Sequence, residues 1–194
     1  SIRKQAIAEL TSKKLISIIL IIIYKLNLYK YTKMIKGKNY FQDYMPGNIC
    51  YGCGIATKGG LHIKSYWNGN QSESDWKPSE THQGWPKIMN GGIIATLIDC
   101  HCMGTAMAYA YKIEGRNLDS KPYYKYATGT LKVKYIKPTP NKKIKLIARI
   151  ESYSKKKVFL KCDVIQKGKI TATAEVWAFR VFDSSIIRND IFNS

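Results

Sequence analysis

The sequence predicts an α+β fold in which an antiparallel sheet of about six strands wraps around one long central helix. Residues 91–110 are apolar on most of their surface, so a helix over this range must be enclosed on nearly all sides. Six shorter segments largely alternate apolar and polar residues, which is typical of half-buried strands. Two of these strands precede the helix and four follow it.

The two strands before the helix form a predicted hairpin. Residues 61–67 largely alternate, and residues 72–76 are the expected partner strand across the turn at residues 68–70, Asn-Gly-Asn. Residues 41–60 contain several glycines and prolines and are expected to be a loop-rich entry. Residues 78–86 are also expected to be a loop.

After the helix, a polar insert at residues 114–124 leads into four strands, expected over residues 128–137, 144–150, 158–165 and 170–182. In the first of them, Leu131, Val133 and Tyr135 share one face. Lys132 and Lys134 lie on the other face. Short turns between these strands favour antiparallel pairing.

The N-terminal stretch differs from the rest of the 194-residue chain. Its apolar run, residues 15–24, is about ten residues long, whereas a bilayer needs roughly 20, so we expect no stable membrane insertion. Residues 1–33 are an N-terminal extension with three open interpretations: translated upstream sequence with the start at Met34, an extra helix, or a basic membrane-surface segment. The domain proper is expected over residues 40–183, followed by a C-terminal tail at 184–194.

Net charge and cysteine content limit the function classes. The charge of +19 would suit nucleic acid, but arginine is scarce and no nucleic-acid-binding motif is visible, so we expect no nucleic-acid partner. A basic surface also suits a ligand with several phosphates. Five cysteines without a secretory pattern indicate a cytoplasmic protein.

A metal site is not expected from the cysteine spacing. Cys50 and Cys53 have the CxxC spacing of half a zinc site, but no second CxxC follows. Cys100, His101 and Cys102 could complete a set only if the fold brought them close. On a helix, Cys100 and Cys102 point about 200° apart, so both cannot chelate one ion easily. His101 is expected to be a packed polar residue.

The start of the predicted helix carries the most informative pattern. Asn90, Gly91 and Gly92 open it, and the free N–H groups of a first helical turn favour an anionic group. Asp99 is the only formal charge between residues 88 and 111, and a lone acid there is costly to bury without a partner or a task. About 13 Å of helix separates Asn90 from Asp99, so both can serve one site only if a second copy of the chain supplies half of it. The alternative is that the glycines only allow tight packing and that Asp99 binds a neighbouring hydroxyl.

Several motifs between residues 48 and 181, taken in order, resemble those of the PaaI-like acyl-coenzyme A thioesterases, which have the hotdog fold. These are Cys50-x-x-Cys53-Gly54, Gly60-Leu61, His82-Gln83-Gly84-Trp85-Pro86, the run from Asn90 to Asp99, Ala127-Thr128-Gly129-Thr130 and Tyr135-Ile136-Lys137-Pro138. The resemblance implies hydrolysis of an acyl-CoA thioester, without a cofactor, by a dimer or a dimer of dimers.

The resemblance also implies roles for individual residues. The backbone N–H groups of Gly91 and Gly92 would polarise the thioester carbonyl, and Asp99 of the partner subunit would act as general base or nucleophile. Thr128 would hold the attacking water, with Thr130 close behind. The family carries histidine where this chain has Asn90, which can still orient the carbonyl but cannot become positively charged.

Four further residues are candidate substrate contacts. Gln83 occupies a loop position where such enzymes carry a polar group near the thioester. Lys132, Lys134 and Lys137 would meet the CoA phosphates, although each could equally lie on a solvated strand face. The missing histidine leaves a second function open, that of a non-catalytic acyl-CoA-binding hotdog protein acting as a sensor or partner protein.

Overall fold

The computed structural model describes residues 15–19, 21, 22, 25 and 38–186, and the chain divides into two units, Ser1–Asn39 and Tyr40–Ser194. In the first unit, residues 15–19, 21, 22 and 25 are helical and the leucine and isoleucine side chains among them are exposed, whereas Lys38 and Asn39 are not helical. The rest of the predicted extension at 1–33, and residues 187–194 of the predicted tail, lie outside the described residues. The interpretation of both ends stays a prediction.

The described part of the second unit contains a six-stranded antiparallel sheet and one long helix, as the sequence predicts. The strands lie in the order β1-β2-β6-β7-β8-β5, which leaves β5 at one edge of the sheet. Their bounds are β1 (Tyr66–Asn68), β2 (Gln71–Trp76), β5 (Tyr124–Tyr135), β6 (Ile144–Tyr153), β7 (Lys157–Gln166) and β8 (Lys169–Asp183). Two short strands, β3 (Gln83–Trp85) and β4 (Ile88–Met89), pair separately in front of the helix α1 (Gly91–Ile113).

The helix α1 forms the centre of the core. It packs against β5, β6, β7 and β8, and thirteen of its residues are buried. In the described part of the chain it is the one helix long and apolar enough to cross a membrane, and 67% of that stretch is buried inside the protein. Its apolar surface is therefore accounted for by the sheet that encloses it.

The inward-facing apolar side chains of the strands, which alternate with outward-facing residues, form the part of the core that packs against the helix. On β7, Val158, Leu160 and Val164 are fully buried and point to the helix. On β8 the corresponding side chains are small, including Ala172 and Ala178, which lets α1 approach the sheet closely. Each fully buried Val or Leu contributes about 1.5–3 kcal/mol relative to exposure.

Two of the predicted segments before the helix are wrong in detail. The strand expected over residues 61–67 is regular only from Tyr66, because the N–H groups of Leu61 and Ile63 donate to the carbonyls of Tyr51 and Gly52 in the preceding loop (2.8 and 3.0 Å). The expected loop at 78–86 contains β3, whose pairing with β4 needs only a short turn. After the helix, the observed strands begin or end up to four residues from the predicted limits.

A bulge in β5 changes which side chains face the helix. Thr128 pairs with Ala178 and Thr130 with Trp177, so two steps along β5 match one step along β8. Gly129 lies at this bulge, where a Cβ atom would lie 2.2 Å from the Phe179 ring. Because a bulge shifts the alternation by one residue, Thr128 lies on the helix side with Leu131, whereas Thr130 lies on the outer side.

A buried polar network fixes the middle of α1 against β2 and the segment before β1. The His101 ring, fully buried, binds the hydroxyls of Ser65 (2.8 Å) and Ser72 (3.4 Å). Gln42, also fully buried, accepts from the Ser65 N–H (2.7 Å) and donates to its hydroxyl (3.0 Å). His101 is thus a packed polar residue, as expected from the sequence, and the network holds the turn of helix that carries Asp99.

We predict that Gln42→Ala lowers the free energy of unfolding by about 1–3 kcal/mol, because it leaves the buried Ser65 N–H without an acceptor. Urea unfolding followed by circular dichroism measures the change. The neighbouring substitution Asp43→Ala is the control: it removes only the partly exposed ion pair with Lys64 and should cost about 1 kcal/mol or less. Equal losses in the two variants would contradict the role given to Gln42.

Candidate active site

The helix start presents one free backbone donor. The Asn90 side chain caps α1, and its Oδ1 accepts from the N–H groups of Gly92 (2.7 Å) and Ile93 (3.3 Å). The Asn90 carbonyl accepts from Ile94 N–H (3.2 Å), which fixes the peptide plane between Asn90 and Gly91. Within the described chain the Gly91 N–H donates to no group, so it points out of the helix start. Of the two glycine N–H groups expected to bind an anion, only that of Gly91 is available.

The β3–β4 pair holds this helix start from one side. Asn90 N–H donates to the His82 carbonyl (2.9 Å), and Gly84 lies so close that an added Cβ would sit 3.3 Å from the Asn90 Cα. Both ends of the Gln83 side-chain amide form local hydrogen bonds. Its Nε2 donates to the Glu80 carbonyl (3.0 Å), and its Oε1 accepts from the Lys87 N–H (2.5 Å). Gln83 therefore shapes the turn beside the helix start.

Tyr135, at the end of β5, holds the helix start from the other side. Its hydroxyl donates to the Gly91 carbonyl (2.7 Å), and an added Cβ on Gly91 would lie 3.3 Å from the Tyr135 hydroxyl oxygen. Burial raises the pKa of Tyr135, so the hydroxyl keeps its proton as a donor. Sequence reasoning placed Tyr135 on the correct face of its strand but gave it no role. The signal that could have indicated a contact with the helix was that Tyr135 shares a strand face with Leu131 and Val133.

Asp99 lies two turns further along α1, facing Thr128. The Thr128 hydroxyl donates to Asp99 Oδ1, and the bulge at Gly129 is what turns Thr128 towards the helix. Burial raises the pKa of Asp99, and the bond from Thr128 partly offsets that rise. No cation is paired with Asp99 among the described residues. A half-buried carboxylate without a counter-ion is a strong acceptor for a proton.

The two halves of the candidate site are separate within one chain. Eight residues of continuous helix put Gly91 and Asp99 about 12 Å apart along the axis. A general base must lie within hydrogen-bond reach, or one water, of the atom on which it acts. Within one chain, the free N–H of Gly91 and the carboxylate of Asp99 therefore cannot act on the same carbonyl group.

The remaining predicted residues on β5 are not all near these groups. The bulge puts Thr130 on the outer face, away from Asp99. Lys132 and Lys134 are exposed on that outer face, where Lys132 lies 4.0 Å from Glu175. Lys137 is also exposed, but its segment runs beside β4, since Thr139 O accepts from Met89 N–H (2.9 Å). Of the three lysines, only Lys137 lies in the segment whose neighbouring residues, Tyr135 and Thr139, contact the helix start and β4.

The fold brings together three thiols that the sequence left apart. Cys50, Cys53 and Cys100 have their sulfur atoms within 4.8 Å of one another. Cys102 is buried on another side of α1 and interacts with Cys162. Of the residues considered for a metal set, only Cys100 joins the CxxC pair, in accord with the angle between Cys100 and Cys102 on a helix.

Solved structures share this fold. A thioesterase superfamily protein from Shewanella loihica PV-4 is 27% identical over 67% of this chain and 97% of its own, with a TM-score of 0.52. A thioesterase from Haemophilus influenzae is 10% identical over 71% of this chain and 90% of its own, with a TM-score of 0.57. The PaaI protein of the Escherichia coli phenylacetic acid degradation operon is 11% identical over 62% and 82%, with a TM-score of 0.51.

No protein-family model and no curated protein sequence matches the chain. At identities this low, the likeness rests on structure: the six-stranded antiparallel sheet and the enclosed helix agree with the hotdog fold that the motifs from Cys50 to Pro138 imply. The chain thus has the hotdog fold, and in structure it is similar to a thioesterase superfamily protein and to the PaaI protein.

Proposed function

We propose that the protein hydrolyses an acyl-CoA thioester to a free acid and CoA, at a site that two copies of the chain complete together. The observation that carries the proposal is the pair of half-sites on one helix: a free, fixed N–H at Gly91 and a half-buried carboxylate at Asp99. The likeness to thioesterase superfamily structures supports the reaction class.

The helix start would bind the thioester carbonyl. Attack on a thioester moves negative charge onto the carbonyl oxygen, and a fixed N–H at a helix N-terminus stabilises that charge without reorganising. The cap at Asn90 and the Tyr135 bond at the Gly91 carbonyl hold the adjoining peptides in place. The cap uses the side-chain oxygen of Asn90, so the side-chain N–H group of Asn90 remains to donate to the substrate.

Asp99 would activate the attacking water. Its raised pKa makes it a better proton acceptor than an exposed aspartate, and the Thr128 hydroxyl beside it is placed to hold a water molecule. The carboxylate takes a proton as the water oxygen bonds to the carbonyl carbon. When the tetrahedral intermediate collapses, the carbon–sulfur bond breaks and the proton passes to the CoA thiolate. In direct attack, Asp99 would bond to the carbonyl carbon, the carbon–sulfur bond would break to release the CoA thiolate, and water would then hydrolyse the mixed anhydride to the free acid and the Asp99 carboxylate.

Pairing of two β5 edges would bring the half-sites together. β5 is an edge strand of twelve residues, and its outer side from Thr128 to Tyr135 pairs with no other described strand. An antiparallel two-fold pairing centred on Lys132, with Gly129 as the extra residue of the bulge in each strand, sets Thr128 opposite the partner subunit's Tyr135. In each chain Thr128 is hydrogen-bonded to Asp99, and Tyr135 is hydrogen-bonded to Gly91. This register would therefore bring each carboxylate beside the helix start of the other chain.

The basic surface would take the CoA moiety. Lys137 lies in the segment that contacts the helix start and β4, so a thioester bound at Gly91 would direct its phosphates towards that end of the molecule. Lys132 and Lys134 lie on the outer face and would reach the phosphates only around the strand edge. We assign Lys137 the closest contact and the other two a longer-range attraction, which salt would screen.

We predict that Gly91→Pro lowers kcat by about 10²–10³, because it removes the one free N–H at the oxyanion position. Proline is tolerated as the first residue of a helix, and Asn90 already has the extended backbone (φ −62, ψ 133) that precedes a proline. Gly91→Ala is the matched control: it places the same Cβ against Tyr135 but keeps the N–H, so it should retain most of the activity. If both variants lost activity equally, the contact and not the N–H would be responsible.

We predict that Asp99→Asn lowers kcat by about 10²–10⁴ without unfolding the protein. The assay follows thiol release from short, medium, long and aromatic acyl-CoAs, and the exposed Asp119→Asn substitution is the control. Thr128→Val should reduce kcat while Thr128→Ser restores it. Tight acyl-CoA binding without turnover, unchanged in Asp99→Asn, would instead establish the non-catalytic acyl-CoA-binding protein that the Asn90 substitution leaves open.

A further inference from the structure

Three cysteines from two distant segments meet beside the helix. Cys50 and Cys53 lie in the loop before β1, and Cys100 lies on α1, directly after Asp99. The Sγ atoms of Cys50 and Cys100 are 3.6 Å apart, and all three sulfurs lie within 4.8 Å of one another. Neither catalysis nor substrate binding in the proposed function uses these thiols.

The local fold is built around this approach. Gly54 N–H donates to the Cys50 carbonyl (2.7 Å), which closes the CxxC segment into a turn with both thiols on one side. The backbone bonds from Leu61 and Ile63 hold that turn in place. Gly52 lies between the two cysteines, and a Cβ there would be 2.3 Å from the Cys100 sulfur. Glycine at this position is what lets the Cys100 thiol reach the loop.

The sulfur spacing suits a tetrahedral thiolate site. A zinc–sulfur bond is about 2.3 Å, which puts two sulfurs of a tetrahedron about 3.8 Å apart. The Cys50 and Cys100 sulfurs are 3.6 Å apart and the other two pairs are within 4.8 Å, so small rotations of the side chains are enough to reach that value. Cys53 and Cys100 are 9% and 5% exposed, whereas Cys50 is exposed and gives an ion access from solvent. Thiolate ligands select soft cations over Mg²⁺ or Ca²⁺.

We propose that Cys50, Cys53 and Cys100 bind one Zn²⁺ ion as three thiolates, with a fourth position open to water or a small ligand. Binding releases three thiol protons and forms three zinc–sulfur bonds. The ion joins the loop at residues 50–53 to α1 at the residue after Asp99, and so clamps the segment around the carboxylate. This site is independent of the proposed hydrolysis and would exist in a protein that only binds acyl-CoA.

The test uses the reduced, metal-free full chain titrated with Co²⁺, followed by competition with Zn²⁺. We expect one Co²⁺ per chain, with a sulfur-to-cobalt charge-transfer band and visible bands of tetrahedral intensity, both abolished by one equivalent of Zn²⁺. Zn²⁺ should also raise the melting temperature, because it binds the folded chain. A cobalt spectrum without sulfur charge transfer would overturn the proposal.

Variants assign the ligands. Cys50 is exposed, so Cys50→Ser should fold normally, and the metal-free melting temperature checks this. Since loss of a second-shell partner already weakens metal sites by about 10–100-fold, loss of a direct thiolate should weaken Zn²⁺ binding by about 100-fold. Cys162→Ala, which removes a buried thiol outside the cluster, should bind as the wild type does. Equal Zn²⁺ affinity in the wild type and in Cys50→Ser would contradict the assignment.

Discussion

The length of a rigid helix is the constraint on which the candidate site depends. α1 is enclosed by the sheet and fixed at both ends of the relevant stretch, by the Asn90 cap and by the buried His101 network. The chain therefore cannot bend to bring Asp99 to Gly91, and the separation of about 12 Å is fixed. Whatever chemistry joins the two groups must bring the second one from another copy of the chain.

The strand β5 connects both half-sites to the surface where a second copy could bind. Its helix-facing side contacts α1 at Thr128 and at Tyr135, and its edge is open. An edge strand of this length is a liability unless it is covered or paired. In the dimer that we propose, pairing β5 with itself would satisfy the backbone groups of the edge and would assemble two equivalent sites in one step.

Alternation of apolar and polar residues was sufficient to predict the sheet, because burial on one face of a strand determines it, and the long apolar run was sufficient to predict the enclosed helix. Alternation could not predict the bulge at Gly129, which depends on the Phe179 ring from the neighbouring strand. By strict alternation Thr128 and Thr130 would share a face opposite Leu131, and only the bulge separates them. The Tyr135 bond and the approach of Cys100 to Cys50 also depend on contacts between segments far apart in the chain.

Mixing two inactive variants tests the shared site most directly. Asp99→Asn and Gly91→Pro chains, each nearly inactive alone, are combined, allowed to exchange subunits, and assayed for thiol release. A mixed dimer holds one intact site and one doubly altered site, so with random pairing the mixture should recover about one quarter of wild-type activity. No recovery above the two separate variants, after exchange is verified by mass spectrometry of tagged chains, would contradict a site formed by two chains.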